Sequence, residues 1–160
     1  PISRGVRGVK MDEGVCVISL MVPQEGGEVL TASENGYGKK TRVDEFPLRG
    51  RGGQGVIAMQ CTERNGQLAG AVQVFAGDDV MLISNRGTLV RTRCNEISSL
   101  GRNTQGVMLI RLAEEEALVG IARIEEPDEE DIDAEEAVEA ADAAEPNAAA
   151  GDKAPDAGDE

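Results

Sequence analysis

The chain has 160 residues, a net charge of −14, no His and no Trp. Without imidazole, every mechanism that uses His as acid, base or metal ligand is excluded. With only Tyr37, Phe46 and Phe75 as aromatics, any core must be built from Val, Ile, Leu, Met and Ala.

The charge is unevenly spread. Residues 125–160 hold 16 Asp/Glu against one Lys, or −15, while residues 1–124 hold 14 Asp/Glu against 15 Lys/Arg, or +1. A near-neutral, Arg-rich body (1–124) is joined to an acidic tail (125–160), an asymmetry that points to a nucleic-acid partner and a tail that modulates it. The start at Pro1 shows neither a basic leader with an apolar stretch nor an initiator Met, and reads as the interior of a longer protein. No apolar run approaches the ~20 residues needed to span a bilayer. Cys16, Cys61 and Cys94 are odd in number and far apart, which argues against disulfides and zinc and for small buried hydrophobes in a reducing cytosol.

The body repeats itself. Gly5-Val6-Arg7-Gly8-Val9-Lys10-Met11 recurs as Gly55–Cys61 and Gly106–Leu112, at offsets of 50 and 51 residues. Val29–Gly36 aligns with Val80–Gly87, and Lys40-Thr41-Arg42 with Arg91-Thr92-Arg93, both at an offset of 51. Such a period marks a propeller-like or solenoid array. Each repeat reads as four antiparallel strands; in the second they fall near Val56–Cys61, Leu68–Phe75, Val80–Ser84 and Thr88–Cys94. Asn65-Gly66, Gly77-Asp78-Asp79 and Asn85-Arg86-Gly87 supply the turns. Val80-Met81-Leu82-Ile83 is continuously apolar, as for an inner strand buried on both faces. The alternating fourth strand should lie towards the outside. Connections of eleven residues follow it, at 44–54 and 95–105. The third repeat stops after two strands, Val107–Leu112 and Leu118–Ile124, so the ring is incomplete and earlier repeats are expected upstream. The tail is too poor in apolar residues to offset the entropy of ordering, apart from a weak transient helix over 133–144.

Candidate chemistry is cationic. Lys40/Arg42 and Arg91/Arg93 are i, i+2 pairs at matching places, each pair roughly 6–7 Å apart on one strand face. Repeated around a rim, with Lys39 alongside, they would form a stripe able to follow a phosphate backbone, although the same residues could simply solubilise an edge strand. Arg49-Gly50-Arg51-Gly52-Gly53-Gln54-Gly55 and its counterpart Gly101-Arg102-Asn103-Thr104-Gln105-Gly106 combine forked donors with glycines that let backbone N–H groups approach phosphates. Neither is a Walker A loop. No Ser has a His to activate it, Asp12-Glu13 and Asp78-Asp79 read as turn residues, and Tyr37 reads as structural.

Asn35-Gly36-Tyr37-Gly38-Lys39-Lys40-Thr41, Thr62-Glu63-Arg64-Asn65-Gly66, Gly87-Thr88-Leu89-Val90-Arg91-Thr92 and Gly101–Val107 together resemble the end of the C-terminal domain of the DNA gyrase A proteins, in the type IIA topoisomerase family. The resemblance covers Gly5–Ile124, and the acidic end also fits; the corresponding domain of topoisomerase IV and a protein-interaction propeller are the alternatives. It implies an all-β pinwheel of six blades that exchange strands, of which this chain holds an incomplete ring. It also implies a basic perimeter that wraps double-stranded DNA with positive handedness for ATP-dependent negative supercoiling. DNA-backbone contacts are expected from Lys39, Lys40, Arg42, Arg49, Arg51, Arg91, Arg93 and Arg102. The family's wrapping motif, Gln-Arg/Lys-Arg-Gly-Gly-Arg/Lys-Gly, lies in its first blade and is expected to be absent here; Arg49–Gly55 is a degenerate echo that keeps Arg51, Gly52, Gly53 and Gly55 but has Arg49, Gly50 and Gln54 where the motif has Gln and two bases. The DNA-cleaving Tyr of the family lies in a different region, and Tyr37 does not correspond to it. The resemblance further implies no catalytic residue or metal in these residues, and ATP and magnesium for the holoenzyme. Its implied partners are gyrase B and a second copy of gyrase A, in the bacterial cytoplasm.

Overall fold

The computed structural model describes residues 4–125; the acidic tail, including 133–144, lies outside them. Seven strands occur among the described residues: β1 (Glu28–Ser33), β2 (Tyr37–Arg42), β3 (Leu68–Val74), β4 (Asp79–Ser84), β5 (Leu89–Arg93), β6 (Val107–Met108) and β7 (Leu118–Ile124). They form two antiparallel sheets, ordered β3-β1-β2-β6 and β5-β4-β7.

Turn chemistry sets the two hairpins. At the end of β1 the Gly36 N–H donates to the Ser33 carbonyl at 3.0 Å, with Gly36 at φ +80°. A Cβ on Gly36 would also strike the Ile110 carbonyl, so Gly is required there twice over. β4 and β5 repeat the turn with Gly87 at φ +84°.

The repeat unit is offset from the sheet unit. β3 belongs to the second repeat but pairs with β1 of the first, Val72 opposite Leu30. β7 belongs to the third and pairs with β4, Ile121 opposite Leu82. β6, also from the third, adds to β2. Each sheet, or blade, therefore draws its strands from successive repeats, the strand exchange that the resemblance implied. The segment between β3 and β4 shows how the chain leaves one blade for the next. Asp78 accepts the Phe75 N–H at 2.7 Å and pairs through its carboxylate with Arg123 of β7 at 2.5 Å, drawing the entry to β4 towards the second sheet.

The core lies between the blades. Leu30 and Val74 of the first meet Val80, Cys94 and Ile97; Ala32 meets Leu82, Ile110 and Leu118. Each Leu so buried contributes about 1.5–3 kcal/mol. β4 is an inner strand, but only Val80, Leu82 and Ser84 are fully buried; Met81 and Ile83, on the face turned away from the first blade, are half-buried. β2 is likewise inner, flanked by β1 and β6, while β5 is an edge.

Two further expectations change for one reason. Val56–Cys61 forms no strand, whereas its counterpart contributes β6 because β2 lies beside it. Cys94 is buried, its thiol pushed up to about 11 by desolvation and then by Asp78, but Cys16 and Cys61 are exposed because their segments lack a sheet partner among the described residues. Residues 19–24 lie against the free edge of β3. There Ser19 Oγ accepts the Ala71 N–H at 3.0 Å, and Gln24 and Gln73 exchange hydrogen bonds of 2.8 and 2.6 Å.

Candidate nucleic-acid interface

Register decides which basic side chains reach solvent. Lys40 lies opposite Leu30, and cross-strand partners share a sheet face, so Lys40 and Arg42 lie on the face that packs against the second blade. Lys40 has a side chain only 12% exposed, with Nζ 3.1 Å from Glu28 Oε2. Burial raises the Glu28 carboxyl, but hydrogen bonds from Ser99 and Lys40 outweigh it and hold the group below its ordinary range. Arg42 emerges at the strand end and pairs with exposed Asp44 at 2.5 Å.

Lys39 is on the opposite face and is fully buried. Its ammonium donates to the Gly101 and Arg102 carbonyls, each at 2.5 Å, and desolvation lowers its pKa. Arg102 in turn donates its guanidinium to the Ile57 carbonyl at 2.5 Å and its backbone N–H to Glu45 Oε2 at 2.9 Å. Lys39 and Arg102 thus help hold the 95–105 connection on the first blade, and the Lys40 side chain is tied to Glu28 within that blade.

The other five remain outward. Arg91 is 60% exposed and paired with Asp79 at 2.6 Å. Arg93, Arg49 and Arg51 are exposed and make no ion pair among the described residues. Gly52 and Gly55 adopt φ +76° and +78°. The Gly52 N–H donates to the Gly8 carbonyl at 2.8 Å, and the Lys10 N–H to the Gly53 carbonyl at 2.7 Å. That parallel bridge sets exposed Arg7 and Lys10 beside the Arg49–Gly55 backbone. Sequence reasoning missed both; the signal was the repeat alignment itself, because Lys10 matches Gln60, whose N–H donates to the Thr104 carbonyl in the same way. Tyr37 is half-buried beneath the Arg64 guanidinium, 4.8 Å from its ring centroid, as befits a structural aromatic.

The fold is therefore an array of strand-exchanged β blades with cationic connections, of the propeller class. The family described as "DNA gyrase C-terminal domain, beta-propeller" matches residues 1–24, 27–74 and 78–125, and the starts at 27 and 78 reproduce the internal offset. The chain belongs to this family. It is 57% identical over 141 residues to the gyrase A protein of Pseudomonas aeruginosa, covering 86% of this chain and 15% of that protein. It is 57% identical over 130 residues to the gyrase A protein of Escherichia coli, covering 81% and 15%. Among solved structures, a DNA gyrase A C-terminal domain superposes with a TM-score of 0.70 at 27% identity, over 76% of this chain and 41% of that one. The C-terminal domain of DNA topoisomerase IV does so with 0.72 at 19% identity, over 84% and 42%, a likeness of fold. The chain spans about one seventh of the length of these curated relatives.

Proposed function

We propose that this chain is the closing part of a gyrase A DNA-wrapping domain, binding double-stranded DNA along its backbone in support of ATP-dependent negative supercoiling. The observation that carries the reading is the outward placement of Arg42, Arg49, Arg51, Arg91 and Arg93 on the connections and edge strand of a gyrase C-terminal-domain fold. Guanidinium forks suit phosphate oxygens, and contacts of this kind position a duplex without reading its sequence. Arg7 and Lys10 extend the same surface. In this reading the catalytic steps, ATP and magnesium belong to the holoenzyme, formed with gyrase B and a second copy of gyrase A on the bacterial nucleoid. The degenerate loop Arg49–Gly55 supplies phosphate contacts here without the full role of the wrapping motif.

Filter binding of the chain to long and short duplexes tests this. Wrapping predicts a marked preference for length. Replacing Arg91 and Arg93 by Ala should reduce the slope of log K against log salt by up to ~2. Absence of binding at low salt would point instead to a protein-interaction role.

A further inference from the structure

The β1–β2 hairpin turn and the segment that carries the chain from the first blade into the second enclose a groove. Leu109 and Ile110 donate their N–H groups to the Gly36 carbonyl at 2.8 and 3.2 Å, and Leu118 donates to the Glu34 carbonyl at 2.8 Å. Residues 111–117 are thus slung between two anchors on that turn. The cavity they leave measures about 650 Å³ and opens to solvent, within the ~300–1,000 Å³ usual for ligand pockets. Both of its walls belong to the two described blades, and none of the arginines proposed to contact DNA lines it.

One wall is cationic and aromatic. The Arg64 guanidinium lies over the Tyr37 ring, 4.8 Å from its centroid, and is exposed. Its loop is held from several sides. Asn35 Nδ2 donates to the Glu63 and Arg64 carbonyls at 3.2 and 3.1 Å, and buried Asn65 donates to the Gln60 and Gln105 carbonyls at 2.7 and 3.1 Å. The guanidinium therefore sits on a fixed platform, and little order has to be imposed when an anion binds. The other wall brings exposed Arg111 and half-buried Leu112, with Met108, 49% exposed, at the mouth.

The charges of the groove are unevenly spent. Glu116 already accepts hydrogen bonds from the Ser84 and Thr88 hydroxyls and the Ala113 N–H, and Glu115 lies 3.4 Å from Arg86. Arg64 and Arg111 make no ion pair among the described residues. Nor does the repeat demand the aromatic–guanidinium pair. Fifty-one residues on, Thr88 stands for Tyr37 and Glu115 for Arg64, and the second hairpin forms without either. The pair is an addition to this one groove.

The chemistry narrows the ligand. Glu114, Glu115 and Glu116 follow one another in the second wall, which repels a polyanion such as a duplex. A single carboxylate among aliphatic groups meets no such barrier. It satisfies the free guanidinium forks, and its neighbours cover Met108 and Leu112. We propose that this groove binds a peptide segment of a partner protein in which one or two Asp or Glu are flanked by large aliphatic residues. The carboxylate lies on Arg64 and Arg111, and the aliphatic side chains lie on Met108 and Leu112.

Amide NMR titration of the whole chain tests the proposal. The probe is an acetylated and amidated Leu-Asp-Leu-Asp-Leu peptide, with Ser-Asp-Ser-Asp-Ser and Leu-Lys-Leu-Lys-Leu as controls. The probe alone should bind, in the submillimolar range, and should move the amides of Tyr37, Arg64, Met108 and Leu112. Arg64→Glu and Arg111→Glu, both at exposed positions, should each weaken binding by about tenfold or more. Tyr37→Thr, which installs the second blade's residue, should weaken it by about threefold or more. Arg4→Glu, the same charge change at an exposed position outside the groove, should leave it unaltered. No binding of the probe at millimolar concentration overturns the proposal. So does equal binding of the Ser-Asp control, which would reduce the contact to diffuse charge attraction, and so do shifts confined to other residues. A duplex that moves the same groove amides would assign the groove to nucleic acid. A peptide of residues 126–160 that binds there as tightly as the probe would make the chain's own tail the occupant. Either result overturns a separate protein partner.

Discussion

β2 and β5 occupy the same place in successive repeats and carry the same i, i+2 basic pair, yet the structure uses them differently. β2 is built over: the next connection lies along its edge, Lys39 holds two carbonyls, and Lys40 is tied to Glu28. Among the described residues β5 is an edge strand that nothing lies along, with Arg91 and Arg93 exposed. Repeated charge in a sequence is therefore not repeated charge on a surface. The same residue type becomes a strut or a ligand contact according to whether another repeat lies on it.

The sharpest way to break this comparison is at the position where Lys39 meets its counterpart, Val90. Lys39→Ala removes the donor for the Gly101 and Arg102 carbonyls and leaves a buried space, and should cost roughly 2–4 kcal/mol in urea unfolding. Val90→Ala, at a half-buried edge position, should cost about 1 kcal/mol. Equal costs would mean that the connection on β2 contributes no more than an open edge does.

A second contrast lies at the hairpin ends. In the first blade Asn65 Oδ1 accepts the Thr62 N–H at 2.7 Å; in the second its counterpart Glu116 accepts the Ala113 N–H at 3.0 Å. Hydrogen bonds from the Ser84 and Thr88 hydroxyls, followed by that from Ala113, hold the Glu116 carboxyl at about 2, against an ordinary 4.5. A carboxyl depressed in the folded state stabilises it fully above its ordinary pKa and loses that contribution as pH falls towards the folded value. The second blade should therefore loosen between about pH 4.5 and 2, and Glu116→Gln should flatten the pH dependence of unfolding over that window. An unchanged profile would assign the acid sensitivity to other carboxyls. The smallest effect is expected at the exposed ion pairs. Arg42→Ala and Arg91→Ala should each leave stability nearly unchanged, because exposed ion pairs are screened by solvent, so that any loss of DNA binding in the Arg91 variant reports on the surface alone.

Local signals carried much of the fold. β4, β5 and β7 lie within a residue or so of their expected limits, because Asn-Gly and Asn-Arg-Gly turns and apolar runs bound them. Pairing between repeats was beyond those signals. A strand that recurs every 51 residues has equivalent partners in each copy, and contacts distant in sequence, such as the Asp78–Arg123 pair, accompany the pairing observed. For the candidate interface, Arg42, Arg49, Arg51, Arg91 and Arg93 stand outside as their sequence context suggested. Lys39 does not, because alternation places it on a face whose burial is decided by residues some sixty positions away. Arg7 and Lys10 escaped notice because the repeat alignment pairs Lys10 with Gln60 but does not by itself show that either segment bridges a connection.

The offset between repeat and blade has a consequence for how such a chain can grow or shrink. No single cut through the backbone separates one blade from the next, since strands on both sides of any cut serve the same sheet. Adding or deleting one period, begun at any turn, conserves every pairing except those at the two termini. Duplication of a 51-residue stretch thus lengthens the array whatever its phase, and the termini alone bear the cost of an altered number of blades.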